Sequence, residues 1–188
     1  MNPSEALEPT ESETPVGIDL GTTYSLLAYL DESGRPVSLR NTLGDLLTPS
    51  AVIVDEDDIV VGKEAVKASS FAPDNYAECF KRDMGRGTIG HTVNGIETPP
   101  EVLSALVLER LKEDAEQRLG PLRTAVITVP AYFDEICRKA TQDAGHLAGW
   151  EVADIINEPT AAALCCGWER GLFGLRGGDI PNSTERVL

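Results

Sequence analysis

The chain of 188 residues is 41% hydrophobic, enough for one ordinary domain or two small lobes that fold without staples. Its 31 acidic and 16 basic side chains leave a net charge of −15, which argues against a surface that reads DNA or RNA, because such a surface needs a basic stripe to release counterions. Cys79, Cys137, Cys165 and Cys166 form no CxxC pair, so neither a zinc ribbon nor a disulfide framework is expected.

Residues 1–14 carry Glu5, Glu8, Glu11 and Glu13 and little apolar content, and they read as a disordered, solvated acidic tail. They lack the basic and apolar regions of a secretion leader, and no run in the chain approaches the roughly 18 apolar residues of a membrane span. Reduced thiols and a cytoplasmic location are the expectation. Three short strands follow, about Val16 to Leu20, Ser25 to Leu30 and Val37 to Arg40, as an antiparallel meander. After a loop from Asn41 to Pro49, further strands are expected at Ala51 to Val54 and Ile59 to Val61, with a short helix from about Lys63.

Thr98-Pro99-Pro100-Glu101 predicts the start of the longest helix, with Thr98 and Glu101 spaced for a capping box and Leu103, Leu106, Val107 and Leu111 as its apolar stripe. Gly120 stops it. Ala125 to Val129 reads as a buried strand ended by Pro130, and Asp134 as the cap of a second helix with Ile136, Ala140, Ala144 and Leu147 inward. A strand at Val152 to Ile156 leads to Asn157-Glu158-Pro159, which opens a third helix running to about Gly167. Residues 171–183 are a Gly-rich connection, and Thr184 to Leu188 reads as the beginning of another strand.

The chemistry concentrates at Val16-Gly17-Ile18-Asp19-Leu20-Gly21-Thr22-Thr23-Tyr24-Ser25. An uncompensated polar group inside an apolar strand costs on the order of 2–7 kcal/mol, so Asp19 should face a polar site. The glycine and two threonines can aim N–H groups and hydroxyls at an anion, although an ordinary hairpin with an aspartate at its mouth has the same pattern. Other glycine patterns carry less. Gly85-Arg86-Gly87-Thr88-Ile89-Gly90 matches a dinucleotide fingerprint without the strand before it or the helix after it, and Gly62-Lys63 lacks the first Gly and the Ser or Thr of a phosphate loop. Asn182-Ser183-Thr184 is a chance glycosylation match.

Together with Phe80-Lys81-Arg82, Val129-Pro130-Ala131-Tyr132-Phe133 and Ile156-Asn157-Glu158-Pro159-Thr160-Ala161-Ala162-Ala163-Leu164, this segment resembles the nucleotide-binding domain of DnaK-type seventy-kilodalton heat-shock chaperones, within the actin and sugar-kinase superfamily. The stretch from Phe80 to Gly85 looks closest to the HscC-like branch. The resemblance implies an α/β fold: a ribonuclease-H-like (actin-like ATPase) core over residues 15–48 and 99–188, interrupted by a smaller α/β subdomain at 49–98. It implies ATP or ADP, Mg²⁺ and K⁺ as cofactors. Asp19 would organise the metal shell, Gly21, Thr22, Thr23 and Tyr24 would lie along the phosphates, and Lys81 and Glu158 would serve the attacking water. Pro130 and Arg138 would form an interdomain relay, with Asp134 and Cys137 departing from the family's usual Asn and Gln. Arg82 is equally a phosphate contact or a contact between lobes.

By the same resemblance the chain is the first lobe of the ATPase domain of a protein-folding chaperone. The second phosphate loop, the adenosine pocket, the linker and the substrate-binding domain would lie beyond Leu188. Implied partners are nucleotide, the second lobe, client proteins, and J-domain and nucleotide-exchange co-chaperones, with no nucleic acid and no membrane. The chain alone is expected to be inactive. The alternatives are a non-catalytic interaction module of the chaperone system and half of a sugar- or acetate-kinase-type phosphotransferase.

Overall fold

In the computed structural model, residues 15–55 and 58–171 are described; the predicted acidic tail, the Gly-rich connection after its first residue and the final strand lie outside them. The strands β1 (Val16–Asp19) and β2 (Tyr24–Leu30) form a hairpin, continued by β3 (Pro36–Ser38). The carboxylate of Asp31 ties the second turn by accepting the N–H groups of Ser33 and Arg35 and the Ser33 hydroxyl, which holds its pKa below the usual carboxylate value. The segment after Asn41 holds one short strand absent from the sequence expectation, β4 (Thr48–Pro49), on β2.

Next come β5 (Ala51–Val54), β6 (Ile59–Val61), helix α1 (Lys63–Ala68) and β7 (Tyr76–Glu78). The strands form a three-stranded antiparallel sheet in the order β6-β5-β7. A 3-10 turn at Phe80–Asp83 and a hairpin of β8 (Thr92–Val93) and β9 (Ile96–Glu97) precede the long helix α2 (Pro100–Leu119). Alternation of helix and strand completes the chain: β10 (Thr124–Val129), α3 (Glu135–Leu147), β11 (Glu151–Asn157) and α4 (Glu158–Glu169). The principal sheet is mixed, ordered β11-β10-β1-β2-β3, with β1, β10 and β11 parallel and the β1-β2-β3 edge antiparallel. This is a mixed α/β architecture. No helix among the described residues is long and apolar enough to cross a membrane.

Strand alternation builds the core. Val16 and Ile18 of β1 and Ala125, Ile127 and Val129 of β10 face inward against Leu103, Val107 and Leu111 of α2. Leu106, the remaining member of the predicted stripe, is partly buried beside them.

The expected capping box at the start of α2 does not form. The helix begins at Pro100, so Pro99 occupies the cap position and has no hydroxyl to offer. Thr98 donates instead to the Ile96 carbonyl at 3.3 Å, and the Glu101 carboxylate accepts the Gly85 N–H at 3.1 Å.

A second correction concerns α3, where Ile136 and Leu147 are 66% and 64% exposed rather than inward. The inward stripe is Ala140, Thr141, Ala144 and Gly145, small residues throughout. A Cβ on Gly145 would stand 2.4 Å from Val152 Cγ2 and 3.0 Å from Ile127 Cδ1. The helix lies so close to the sheet that only small side chains fit beneath it, and the two large apolar residues are turned outward. Asp134 does cap this helix, accepting the Cys137 N–H at 2.9 Å.

Candidate functional site

Parallel strands point their carboxyl ends the same way, and open α/β sheets build ligand sites there. Asp19 is the last residue of β1, and its side chain is on the outward side of the alternation. The parallel register Val16↔Ala125 and Ile18↔Ile127 continues to set Asp19 beside Thr128, whose hydroxyl donates to Asp19 Oδ1 at 2.7 Å. Asp19 thus faces a polar neighbour, as its position in the strand required.

The next turn is unusually close. A Cβ on Gly21 would stand 2.0 Å from the Tyr24 carbonyl oxygen, so no other residue fits. Gly21 donates its N–H to Ser25 Oγ at 3.1 Å and accepts the Ser50 hydroxyl at 2.8 Å. Its amide is therefore bound within the protein, and the anion donors the sequence suggested reduce to Thr22, Thr23 and Tyr24. These residues line an open cavity of about 620 Å³, whose other wall includes Leu46, Leu47, Pro49 and Val66.

Lys81 sits on the Phe80–Asp83 turn, 3% exposed. Its Nζ donates to the carbonyl oxygen of Leu20, the residue after Asp19, and to Glu158 Oε1 at 2.7 Å. Glu158 is the first residue of α4, where the helix dipole favours a carboxylate, and its side chain is 41% exposed. The ammonium also lies 5.8 Å from the centre of the Phe133 ring. Phe133 is buried and donates its N–H to the carbonyl of Pro130, itself buried just beyond β10. Arg138 spans α3 and β11, donating to Asn157 Oδ1 at 2.9 Å and to the Ile155 carbonyl. Cys137 donates its thiol to the Met84 carbonyl at 3.3 Å. Burial, with the Asp134 carboxylate beside it, raises the Cys137 pKa, while the Asp134 carboxyl is held low by the Cys137 N–H it caps.

The candidates fall into two neighbouring groups. One is Asp19, Lys81 and Glu158 around the end of β1, with Pro130 and Arg138 behind them on Phe133 and Asn157. The other is the Gly21–Tyr24 turn, opening onto the cavity. Arg82, on the same 3-10 turn as Lys81, is exposed.

Ser25, Ser50, Thr128 and Phe133 are participants that sequence reasoning did not single out. Thr128 was accessible in principle, because a hydroxyl in an apolar strand level with Asp19 follows once β1 and β10 are paired. Ser25 and Ser50 were not, since nothing local indicates that they meet.

Among the described residues no group of three His, Cys, Asp or Glu side chains gathers as a metal cage. Mg²⁺ does not require one: it keeps several waters and takes one or two carboxylates plus phosphate oxygens. Exposed Asp19 with the Thr128 hydroxyl fits a site of that kind.

The chain matches the family model described as "Hsp70 protein" over residues 15–95 and 87–172. It is 47% identical over 159 residues to the chaperone protein DnaK of Mycoplasmopsis agalactiae, covering 84% of this chain and 26% of that protein. It is 43% identical over 157 residues to the chaperone protein DnaK of Halobacterium salinarum, covering 83% of this chain and 25% of that protein. The chain thus spans about a quarter of the length of these relatives. With matched segments running through both groups of site residues, the chain belongs to the Hsp70 family.

Proposed function

We propose that this chain forms the first lobe of a DnaK-type ATPase domain, in which ATP binding and hydrolysis drive protein folding by a longer protein. In this reading residues 15–48 and 99–188 are a ribonuclease-H-like core and residues 49–98 an inserted subdomain. The observation that carries it is the Lys81 ammonium, clamped between Glu158 and the Leu20 carbonyl beside Asp19 at the carboxyl ends of parallel strands.

Phosphoryl transfer depends mostly on positioning and on neutralising charge at the transferring oxygens. Bound Mg²⁺, with K⁺, supplies part of that neutralisation when phosphate is present. Asp19, oriented by the Thr128 hydroxyl, would hold the metal. Thr22, Thr23 and Tyr24 line the phosphates with N–H groups and hydroxyls, while Gly21 gives the turn its close approach. Lys81 places a positive charge at the terminal phosphate, and Glu158 accepts hydrogen bonds from the attacking water and holds the lysine in place. Pro130 and Arg138 relay the state of this site, through Phe133 and Asn157, to neighbouring domains. The partners are nucleotide, a second lobe, client proteins, and J-domain and nucleotide-exchange co-chaperones. The four free thiols support a reducing, cytoplasmic setting.

The test is a chimaera in which residues 15–171 replace the matched segment of the Mycoplasmopsis DnaK. Single-turnover ATP hydrolysis should persist, and Lys81→Ala or Glu158→Ala should slow it by roughly 10² or more, the scale for losing one preorganised transition-state group. Near-parental rates in both variants, with ATP bound, overturn the roles. The 188-residue chain alone should bind MgATP no more tightly than about millimolar, roughly 4 kcal/mol. Micromolar calorimetric affinity in a verified monomer would refute the half-site reading.

A further inference from the structure

We propose that Ser25 and Ser50 are positioning residues that lock the Gly21–Tyr24 turn through a closed ring of hydrogen bonds, tying its shape to the β6-β5-β7 sheet. Both side chains are buried, at 1% and 2% exposure, and their oxygens lie 2.9 Å apart. A hydroxyl has one proton to give. Ser50 gives its proton to the Gly21 carbonyl, so the bond between the serines must be donated by Ser25. Ser25 in turn accepts the Gly21 N–H. The ring therefore runs in one sense: Gly21 N–H to Ser25, Ser25 to Ser50, Ser50 to the Gly21 carbonyl.

Two consequences follow from this direction. Both backbone polar groups of Gly21 are satisfied inside the protein, so the turn is held in shape before any ligand arrives. The ring also crosses between elements, because Ser50 sits between β4 and β5 and donates its own N–H to the Thr23 carbonyl at 2.9 Å. A shift of β5 away from β2 breaks all the Ser50 bonds together, and the turn loses its shape with them. The functional consequence rests on reading Thr22–Tyr24 as phosphate ligands; the ring itself does not.

The experiment uses the ¹⁵N-labelled 188-residue chain with Ser25→Ala, Ser50→Ala, the double variant and Ser50→Thr. Amide exchange reads the turn, and titration with inorganic pyrophosphate reads its competence. Either alanine variant should speed exchange at the Gly21 amide, which the ring holds, by about tenfold or more while leaving the β10 amides unchanged. Pyrophosphate affinity should fall about fivefold or more, since a preformed donor set is lost. Because one break opens a ring, the double variant should resemble the singles, and Ser50→Thr should restore parental behaviour. Singles without effect, or singles whose effects multiply in the double variant, overturn the ring. If Ser25→Ala does not fold, the comparison of Ser50→Ala with Ser50→Thr decides. Failure of pyrophosphate with Mg²⁺, taken to tens of millimolar so that a millimolar site is filled, to move the Thr22–Tyr24 resonances of the parent chain refutes the phosphate-loop reading, and amide exchange still judges the ring.

Discussion

Replacing Lys81 by Met keeps the buried stem and removes the charge. The Lys81 side chain is 3% exposed, and its ammonium bonds to the Leu20 carbonyl and to Glu158. Breaking a fully buried ion pair costs about 3–5 kcal/mol, chiefly through the charge left without a partner. Here the stranded partner is Glu158, 41% exposed and free to rehydrate, so most of that penalty is absent. What remains is the orphaned carbonyl of Leu20 and the lost charge-assisted bond, together about 2 kcal/mol. Glu158→Gln keeps an oxygen acceptor at the half-exposed end and should cost only about 0.5–1 kcal/mol. Glu158→Ala leaves the ammonium buried on one carbonyl and should approach the Lys81→Met value. Urea denaturation of the 188-residue chain, followed by far-ultraviolet circular dichroism, ranks the variants. A Lys81→Met midpoint within about 0.5 kcal/mol of the parent, or a Glu158→Gln cost as large as that of Lys81→Met, would refute the asymmetric burial argument.

Gly145→Ala should destabilise the chain by about 1–3 kcal/mol, because its new methyl meets Val152 and Ile127 with no room to withdraw; thermal unfolding checks this. The Asp134 carboxyl is depressed in the folded state by the Cys137 N–H, so its capping contribution is full above the unfolded pKa near 3.8 and lost as pH falls through the lower folded value. Acid titration of Asp134→Asn should accordingly show a shallower loss of stability over that window than the parent. Cys137, raised by burial and the neighbouring carboxylate, should react with iodoacetamide more slowly than exposed Cys165, and peptide mapping after a timed pulse at pH 8 gives the order.

The parts of this fold legible in sequence were those with a strong period. The β1 and β10 strands, the body of α2 and the capped start of α3 follow from apolar spacing and punctuation that act over a few residues. The errors share a cause in tertiary distance. Ile136 and Leu147 have inward spacing, but the separation of α3 from the sheet is fixed by Gly145, which no helical period encodes. Thr98 and Glu101 have the spacing of a capping box, yet Glu101 is drawn to the amide of Gly85, sixteen residues earlier. At the site, Lys81 and Glu158 could be named from motifs that resemble a family. Their meeting across 77 positions of chain could not be derived from either motif alone. Ser50 was invisible for the same reason, since its value lies wholly in its contact with a turn twenty-nine residues away.

Lys81 resides on a single 3-10 turn entered through a left-handed cysteine, Cys79. That turn has almost no autonomy. It is braced by β1 at Leu20, by α4 at Glu158, by α2 where Glu101 takes the Gly85 amide, and by α3 where Cys137 reaches Met84. An incompletely folded chain therefore has no provisional version of the charge constellation to offer: until the last brace arrives, the lysine is simply a hydrated cation on a tether. Assembly of the centre and completion of the tertiary structure become one thermodynamic event, and any agent that pries loose a single brace registers at the ammonium.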